Sequence, residues 1–461
     1  MYRILFCALL IPNLVFAQGQ TLYKNAALIF PERSEVLPNG YLVVDDGHFV
    51  EVGQGEPSLK LSESVETVDL RGNYVSAGFI DTHAHINLGA VSYEVANETM
   101  VLKADNSLDI ARWNGQQLLK AGVTSIRNPG GDTATNIAYR EAQTLGKVAG
   151  PRAFVAGSII NTEAFDGLVD IVSDEDDIIA TVDRQAAMGV DFIKLYTGLG
   201  EEQIKVAIKR AKQHNLPVIA HLEEVSWTQG VNLGIDHLVH AMPISSELLT
   251  AKAGDAYIKA KRPGSVSWYQ WYQYMELNSE PMRELFRELV AQNTAVDPTL
   301  IVFYNAFFAD QESVTDTTML QQAYPGNLKN WRDFYHFNIG WQEKDYQNAQ
   351  RTWPKVLEFV KQLHEQGVLL SVGTDLGNPW VIPGESFHQE MELLASAGIP
   401  PMQVLKLATV NGAKVLHREN ELGRLENGWR ADFVVFSSDP TQDISNVRDI
   451  VAVYQSGERA H

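Results

Sequence analysis

The chain has 461 residues, of which 45% are hydrophobic and 20% charged, and this composition is typical of a folded globular protein. Its 37 Lys and Arg against 57 Asp and Glu give a formal net charge of −20, which argues against partners that are recognised through basic patches, namely nucleic acid and anionic lipid. The length accommodates one α/β barrel of about 250 residues or more together with a small second domain.

Residues 1–17 have the features of a secretory signal peptide, with Arg3, an apolar run and the cleavage-site pattern Val-Phe-Ala ending at Ala17. The run is shorter than the roughly 20 apolar residues that a membrane span needs. Cleavage would remove Cys7, the single cysteine, and leave a mature chain with no thiol and no disulfide. We therefore expect an exported protein, periplasmic or secreted, without a membrane span.

Both ends of the mature chain have a β-strand pattern. Residues 18–74 contain short alternating apolar runs separated by Asn-Gly, Asp-Gly and Gly-Asn turns, and residues 422–461 contain two more such runs. Because the two ends share this pattern around a different middle, they predict one small β-sandwich domain built from both termini.

The middle of the chain, residues 75–421, alternates short apolar runs with amphipathic helical stretches, a pattern that indicates a parallel sheet with helical crossovers. There are eight such runs, which predicts a (β/α)8 TIM barrel. They span residues 75–85, 123–128, 152–160, 191–196, 217–222, 237–241, 294–300 and 368–375.

Several of these runs end in polar side chains that sheet packing does not require. In a barrel the chemistry gathers at the C-terminal ends of the strands, so these side chains are expected to meet. They are His83, His85, Lys194, His221, His240 and Asp375.

The pair His83 and His85 is a candidate metal site, because side chains two residues apart on a strand point to the same side. Imidazole and carboxylate ligands bind zinc, manganese or iron, and His221, His240 and Asp375 supply more of them. Lys194 fits such a cluster only when neutral, most usefully as a carbamate (N6-carboxylysine), which is anionic and can bridge two cations.

The segments GFIDTHAH, GVTSIRNPGG, DFIKLY, the two isolated histidines, GTD and the late LATVNGAKVLH resemble the metal-dependent amidohydrolase superfamily over nearly the whole mature chain. GTDLGNP and PGESFHQEMELLASAG are similar to its imidazolonepropionase-like and Xaa-Pro or Xaa-Arg peptidase branch. The resemblance implies two divalent metals, with zinc as the expected ion. The implied ligands are His83, His85 and Asp375 for one metal, His221 and His240 for the second, and carboxylated Lys194 between them.

The implied reaction is hydrolysis of an amide-type C–N bond in a dipeptide, an N-acyl amino acid or a related small molecule, by a metal-activated water at a binuclear site. Asp375 is the catalytic proton carrier. The spacing of His221 and Glu224 also resembles mononuclear deaminases, so a deaminase or a cyclic-amide or lactone hydrolase with Glu224 as proton shuttle is the alternative. A noncatalytic scaffold is disfavoured because every expected ligand position is filled.

The family's spacing selects His240 rather than His237 as the ligand, and His388 is expected beside the site or on a helix surface.

The substrate contacts rest on weaker signals. Tyr196 shares the strand face of Lys194 and could donate to a substrate carboxylate or an oxyanion, and Arg127 could pair with a substrate carboxylate or with a neighbouring acid. Aromatic residues are dense between 268 and 341. They form either a lid over the pocket, which favours an apolar or aromatic substrate portion, or the interface of a homo-oligomer.

Overall fold

A computed structural model describes residues 19–96 and 99–461. The signal peptide predicted for residues 1–17 lies outside the described residues and stays a prediction. Of the helices formed by the described residues, none combines the length and the apolar character needed to cross a bilayer.

The elements follow one another from an N-terminal group of strands, through alternating strands and helices, to a C-terminal group of strands. The first group is β1 (Thr21–Phe30), β2 (Glu35–Asp45), β3 (His48–Gln54), β4 (Glu66–Asp69) and β5 (Tyr74–Ala77). The first half of the middle is β6 (Phe79–Asp81), β7 (Leu88–Ala96), β8 (Thr99–Asn106), α1 (Leu108–Lys120), β9 (Val123–Asn128), α2 (Thr133–Thr144), β10 (Arg152–Val155), β11 (Ile159–Asn161), β12 (Phe165–Asp166), β13 (Val169–Ile171), α3 (Glu175–Met188), β14 (Ile193–Leu195), α4 (Glu201–Gln213), β15 (Val218–Ala220), α5 (Trp227–Leu233) and β16 (His237–Val239). The second half is α6 (Ala251–Ala260), α7 (Val266–Tyr274), α8 (Glu280–Ala291), β17 (Ala295–Asp297), α9 (Leu300–Phe307), α10 (Glu312–Thr315), α11 (Pro325–Asp333), α12 (Glu343–Glu365), α13 (Glu385–Ser396), α14 (Pro401–Lys406) and α15 (Gly412–Val415). The last group is β18 (Phe433–Phe436), β19 (Ile450–Gln455) and β20 (Glu458–Arg459).

The two ends of the chain form one sheet, where the sequence pattern predicts a β-sandwich built from both termini. Its order is β20-β19-β18-β5-β1-β2-β3, and β4 pairs with β1. The N-terminal and C-terminal halves meet where β5 and β18 pair antiparallel, with Val75 opposite Val435. Buried aromatic rings from both halves pack together, including Tyr23 and Phe433, whose centroids are 5.0 Å apart.

The middle of the chain has a TIM-barrel-like α/β fold. Parallel pairing joins β6, β9 and β10 in one sheet and β14, β15, β16 and β17 in another. The gap between the sheets is bridged where the Asp191 amide donates to the Val155 carbonyl at 2.7 Å and Ala156 forms a single bridge with Phe192.

Residues 369–372 connect the last strand with the first. The Val296 amide of β17 donates to the Leu369 carbonyl at 2.9 Å, and the Thr82 amide just after β6 donates to the Val372 carbonyl at 2.9 Å. The sequence predicts a strand over 368–375, and the structure has only a single bridge within it, between Leu370 and Val296. These bonds bring Asp375 to the same end of the barrel as β6.

One predicted strand divides in two. The run 152–160 forms β10 and β11, and β11 pairs with β13 and β14. The break lies at Gly157, where a Cβ would come 2.4 Å from the side chain of Gln185, and Gln185 Nε2 donates to the Ser158 carbonyl at 2.7 Å. The close approach of a side chain to the backbone, which glycine permits, thus separates the two strands.

Candidate metal-dependent active site

The end of β6 is tied to the loop that carries Asp375. The Asp81 carboxylate accepts hydrogen bonds from the amides of His83 and Thr374 at 3.0 and 3.1 Å, and from the Thr374 hydroxyl at 2.7 Å. Burial raises the pKa of Asp81 to about 7, although these bonds lower it. The Asp81 side chain thus fixes the backbone segments that carry His83, His85 and Asp375.

His83, His85 and Asp375 form a tight, buried cluster. His83 Nε2 and His85 Nε2 lie 3.3 and 3.4 Å from Asp375 Oδ1, and the three ligand atoms lie within 4.8 Å of one another. Burial would raise the pKa of Asp375, but the charge of His83 and the bonds from both histidines hold it well below its usual range. Asp375 is therefore an anion between two imidazoles.

His221 and His240 lie beside the cluster of His83, His85 and Asp375. Their ring centroids are 4.5 Å apart, the His240 ring is 5.0 Å from that of His83, and His240 Nδ1 lies 3.9 Å from Asp375 Oδ2. Burial lowers the pKa of His221 to about 3 and that of His240 well below its usual value. Neutral imidazoles of this kind are the form that binds metals.

Lys194 completes the group at the end of β14. It is 1% exposed, and its Nζ has no hydrogen-bond partner among the described residues. Burial lowers its pKa to about 7, against the opposing charges of Asp297 and Asp375. With this pKa, a substantial fraction of the Lys194 amine is neutral at neutral pH.

In three of the histidines, Nδ1 contacts a group that the sequence analysis did not select. His83 Nδ1 donates to Asp297 Oδ1 and His85 Nδ1 donates to the Gly130 carbonyl, both at 2.8 Å, and His240 Nδ1 lies 2.8 Å from Thr299 Oγ1. Such partners fix the ring orientation, and at His83 and His85 they leave Nε2 directed at Asp375. The signal for Asp297 was present, because it is a charged residue within the apolar run 294–300; in the structure it ends β17.

Two of the cluster residues have a strained backbone. His240 and Asp375 have φ values of +70° and +62°, a region that costs a non-glycine residue about 1–3 kcal/mol. Backbone hydrogen bonds compensate for this strain. The His240 amide donates to the Asp297 carbonyl at 2.8 Å, and the Asp375 amide donates to the His83 carbonyl at 2.7 Å. Strain at two residues of one cluster is typical of a functional site.

Arg127 takes the second of the two roles considered for it, pairing with a neighbouring acid. It is fully buried, its Nε donates to the Thr82 carbonyl at 2.7 Å, and one terminal nitrogen donates to Asp297 Oδ2 at 2.5 Å. Asp297 thus lies between Arg127 and His83 and balances the charge of the guanidinium.

The six residues line one pocket together with Tyr196 and apolar side chains of the predicted aromatic segments. Trp268 lies in its wall, with its ring 5.2 Å from Phe303 and 5.1 Å from Phe337. The cavity measures about 100 Å³, below the range of about 300–1,000 Å³ that is typical of pockets for a whole drug-sized ligand. Part of the aromatic region therefore lines the pocket.

The remaining candidates lie apart from the cluster. His237 packs its ring against Phe192 and His417. His388 is buried on α13, where its Nε2 donates to the Ala121 carbonyl at 2.9 Å. Glu224 is exposed, whereas its neighbour Glu223 lies 3.9 Å from His221 Nε2.

The residues present fit divalent cations. The donor set comprises imidazole nitrogens, a carboxylate and an amine, which suit zinc and similar ions. Two donors, Lys194 Nζ and His221 Nδ1, are buried without a hydrogen-bond partner among the described residues. Buried polar groups are nearly always satisfied, so these atoms indicate a missing partner at this position.

Comparison with known proteins agrees with this chemistry. The profile described as "Amidohydrolase family" matches residues 74–258 and 315–460. Among solved structures, a Xaa-Pro dipeptidase with bound methionine is similar with a TM-score of 0.68 and 21% identity, covering 96% of this chain and 99% of that one. The bottromycin amidohydrolase is similar with a TM-score of 0.69 and 22% identity, over 95% and 86% of the two chains. At these identities the likeness shows the fold.

A curated relative matches only a short segment. It is the 5-methylthioadenosine/S-adenosylhomocysteine deaminase of Bacillus thuringiensis (strain Al Hakam), which is 34% identical over 68 residues, or 14% of this chain and 15% of that protein. The chain therefore spans only about 15% of the length of the curated relatives that it matches.

Proposed function

Because this chain belongs to the amidohydrolase family, we propose that it is an enzyme that hydrolyses an amide-type C–N bond of a small molecule, such as a dipeptide or an N-acyl amino acid. The observation that carries the proposal is the convergence of six side chains on one buried pocket. They are His83, His85, Lys194, His221, His240 and Asp375.

The site would hold two divalent cations, for which zinc is our candidate. His83, His85 and Asp375 would bind one, His221 and His240 the other, and Lys194, carboxylated to N6-carboxylysine, would contact both. Cations held there act as Lewis acids that polarise a carbonyl and favour deprotonation of a water. The unpartnered Lys194 Nζ supports the carbamate, since its addition would give this buried end two oxygen ligands.

The chain's own residues supply proton transfer and orientation. Asp375 is ionised, and its Oδ2, which is turned toward His240, can accept a proton from water and return it to the leaving nitrogen. Tyr196 lines the pocket and offers a hydroxyl to the carbonyl oxygen of the substrate. The apolar walls exclude bulk water, so these interactions act in a low dielectric.

A mononuclear deaminase or cyclic-amide or lactone hydrolase is the second candidate. It is favoured by the tight grouping of His83, His85 and Asp375, which needs no lysine, and by the short match to a deaminase. In that enzyme a glutamate after His221 would carry the proton. The exposed position of Glu224 argues against that residue in this role.

Metal analysis and one variant test the proposal. We expect two metals per chain after reconstitution with zinc and bicarbonate, and chelator-sensitive release of amines from a panel of dipeptides and N-acyl amino acids. Asp375→Asn should lower kcat by at least about 100-fold with an unchanged circular dichroism spectrum. One metal per chain with deaminase activity would favour the second candidate, and a fully active Asp375→Asn variant would contradict the role of Asp375.

We further propose that the protein is exported and acts on its substrate in the periplasm or outside the cell. The support is the sequence pattern of residues 1–17. Mass spectrometry of the N-terminal peptide from fractionated cells should find a chain that begins at Gln18. An intact N-terminus in the cytoplasmic fraction would contradict export.

A further inference from the structure

We propose that Glu390 of α13 is a positioning residue for the metal ion that His221 and His240 would bind. Its carboxylate caps the first turn of α9, and that turn carries the side chains that contact the His240 ring. The inference rests on the binuclear site proposed above and adds a residue that is not part of the pocket lining.

The start of α9 contacts His240 through two side chains. Thr299, directly before the helix, places its Oγ1 2.8 Å from His240 Nδ1. The Phe303 ring, one turn further along, lies edge to face against the His240 ring, with the centroids 5.8 Å apart. In addition, the Ala241 amide donates to the Pro298 carbonyl at 2.8 Å. The orientation of the His240 ring therefore depends on where and how α9 begins.

Thr299 occupies the N-cap position of α9, but its side chain does not cap the helix. An N-cap threonine normally has an extended backbone, and its hydroxyl accepts a hydrogen bond from an amide of the first turn. Thr299 instead has a φ of +46° and a ψ of +45°, and its side chain forms no hydrogen bond with the described amides of α9. Because the hydroxyl contacts His240, the first amides of α9 need another acceptor.

Glu390 supplies this acceptor from α13. The Leu300 amide donates to Glu390 Oε1 at 2.9 Å and the Ile301 amide donates to Oε2 at 2.6 Å, so both carboxylate oxygens cap the helix. Glu390 is fully buried, and burial raises its pKa to about 8, although the two backbone hydrogen bonds lower it. Burying a carboxyl group costs free energy that a cap from a local serine or threonine does not. This costly arrangement occurs where the local threonine contacts His240.

Glu390→Gln tests the inference with the full chain. Glutamine keeps the shape but replaces one acceptor oxygen with a donor nitrogen, so one amide of α9 loses its acceptor and the contacts with His240 loosen. Zinc titration of the metal-free protein against a chromophoric chelator measures both affinities. We expect the affinity for one ion to fall by at least about 10-fold, as when the partner of a metal-binding histidine is removed, and that for the other to change by less than about 3-fold. The ion retained at limiting zinc should lie at His83, His85 and Asp375, where anomalous X-ray scattering locates it.

Matched variants assign the effect. Glu392→Gln makes the same substitution on α13 at a partly exposed carboxylate, which pairs with Arg448 at 2.8 Å, and it should leave both zinc affinities unchanged. Thr299→Val should reproduce the loss, whereas Thr299→Ser, which keeps the hydroxyl, should not. Thr299→Val combined with Glu390→Gln should lower the affinity no further than Glu390→Gln alone. An additive loss, an equal loss for both ions, or no loss in Glu390→Gln would overturn the inference. Should Glu390→Gln not fold, Glu390→Asp, which withdraws both oxygens by one methylene, takes its place with the same outcomes.

A measurement without metal separates failure of this inference from failure of the proposed function. Should the wild type bind fewer than two zinc ions per chain, the binuclear proposal fails, and nitrogen NMR of the histidine side chains in the metal-free protein then decides the question. We expect Glu390→Gln and Thr299→Val each to shift the resonances of His240, whose Nδ1 contacts Thr299. The resonances of His388, which lies on α13 and bonds to the Ala121 carbonyl, should stay unchanged and show that the helix is intact. Unchanged His240 resonances in Glu390→Gln would overturn the inference.

Discussion

Loss of the buried carboxylate of Asp297 should lower the free energy of unfolding substantially. It accepts a hydrogen bond from His83 Nδ1 at 2.8 Å and one from Arg127 at 2.5 Å, and all three side chains are essentially buried. Asp297→Asn keeps the shape but leaves the guanidinium of Arg127 without an anionic partner. Removing one member of a buried ion pair costs about 3–5 kcal/mol, so we expect that loss in the free energy of unfolding.

Urea unfolding followed by tryptophan fluorescence measures the loss, and a double-mutant cycle assigns it. Arg127→Met should cost a similar amount, whereas Arg127→Met with Asp297→Asn should cost clearly less than the sum of the two, because neither charge is then left alone. Asp255→Asn, on the exposed surface of α6, is the matched control and should change stability by less than about 0.5 kcal/mol.

The same variant should also weaken metal binding. Asp297 holds His83 with Nδ1 as donor and Nε2 toward Asp375, and loss of such a partner lowers metal affinity about 10–100-fold. The reasoning is refuted if Asp297→Asn loses less than about 1 kcal/mol, if the costs of the two single variants are additive, or if metal affinity is unchanged.

Three other changes have definite expected outcomes. Lys194→Met should reduce bound zinc from two ions per chain to one, as measured by mass spectrometry of the metal content, and unchanged binding of two ions would contradict the bridging role of Lys194. Burial, assisted by the charge of Arg448, lowers the pKa of His388 to about 4, below its value in the unfolded chain, so its contribution to stability is present above pH 6.5 and is lost as the pH falls toward 4. Between pH 7 and pH 5 the wild type should therefore lose about 2 kcal/mol through this group, and a His388→Gln variant with the same pH dependence would show that another group is responsible. Gly150→Ala should destabilise by about 1–3 kcal/mol, because the new Cβ would lie 2.3 Å from the hydroxyl of Tyr139; adding Tyr139→Phe should recover most of the loss, and no recovery would contradict this cause.

The part of the candidate site that could be predicted from the sequence is the set of polar residues at the ends of the strands. Polar residues such as His83, Lys194 and His240 follow short apolar runs, and parallel strands bring their C-terminal ends together, so their convergence on one pocket could be inferred without coordinates. The membership of the amidohydrolase family, inferred from these and neighbouring motifs, is confirmed by the family profile.

The supporting groups were harder to predict because each contacts a residue distant in the sequence. Thr299 is held beside His240 only by the turn after β17, and its left-handed φ of +46° has no marker in the sequence. Likewise, β7 is supported by a residue distant in the sequence. Part of its support is Asn330 of α11, whose side chain bonds with the amide and the carbonyl of Val91.

The pairing of β5 with β18 has a consequence for how the molecule is made. The whole barrel lies between these strands in the chain, so the N-terminal strands emerge from the ribosome long before their neighbours exist. Until residues 433–436 are synthesised, one edge of β5 is unpaired, and an unpaired strand edge can pair with other chains. The sheet is therefore completed only when the last strands are synthesised. A chain that ends before β18 would leave its N-terminal sheet open to pairing with other chains.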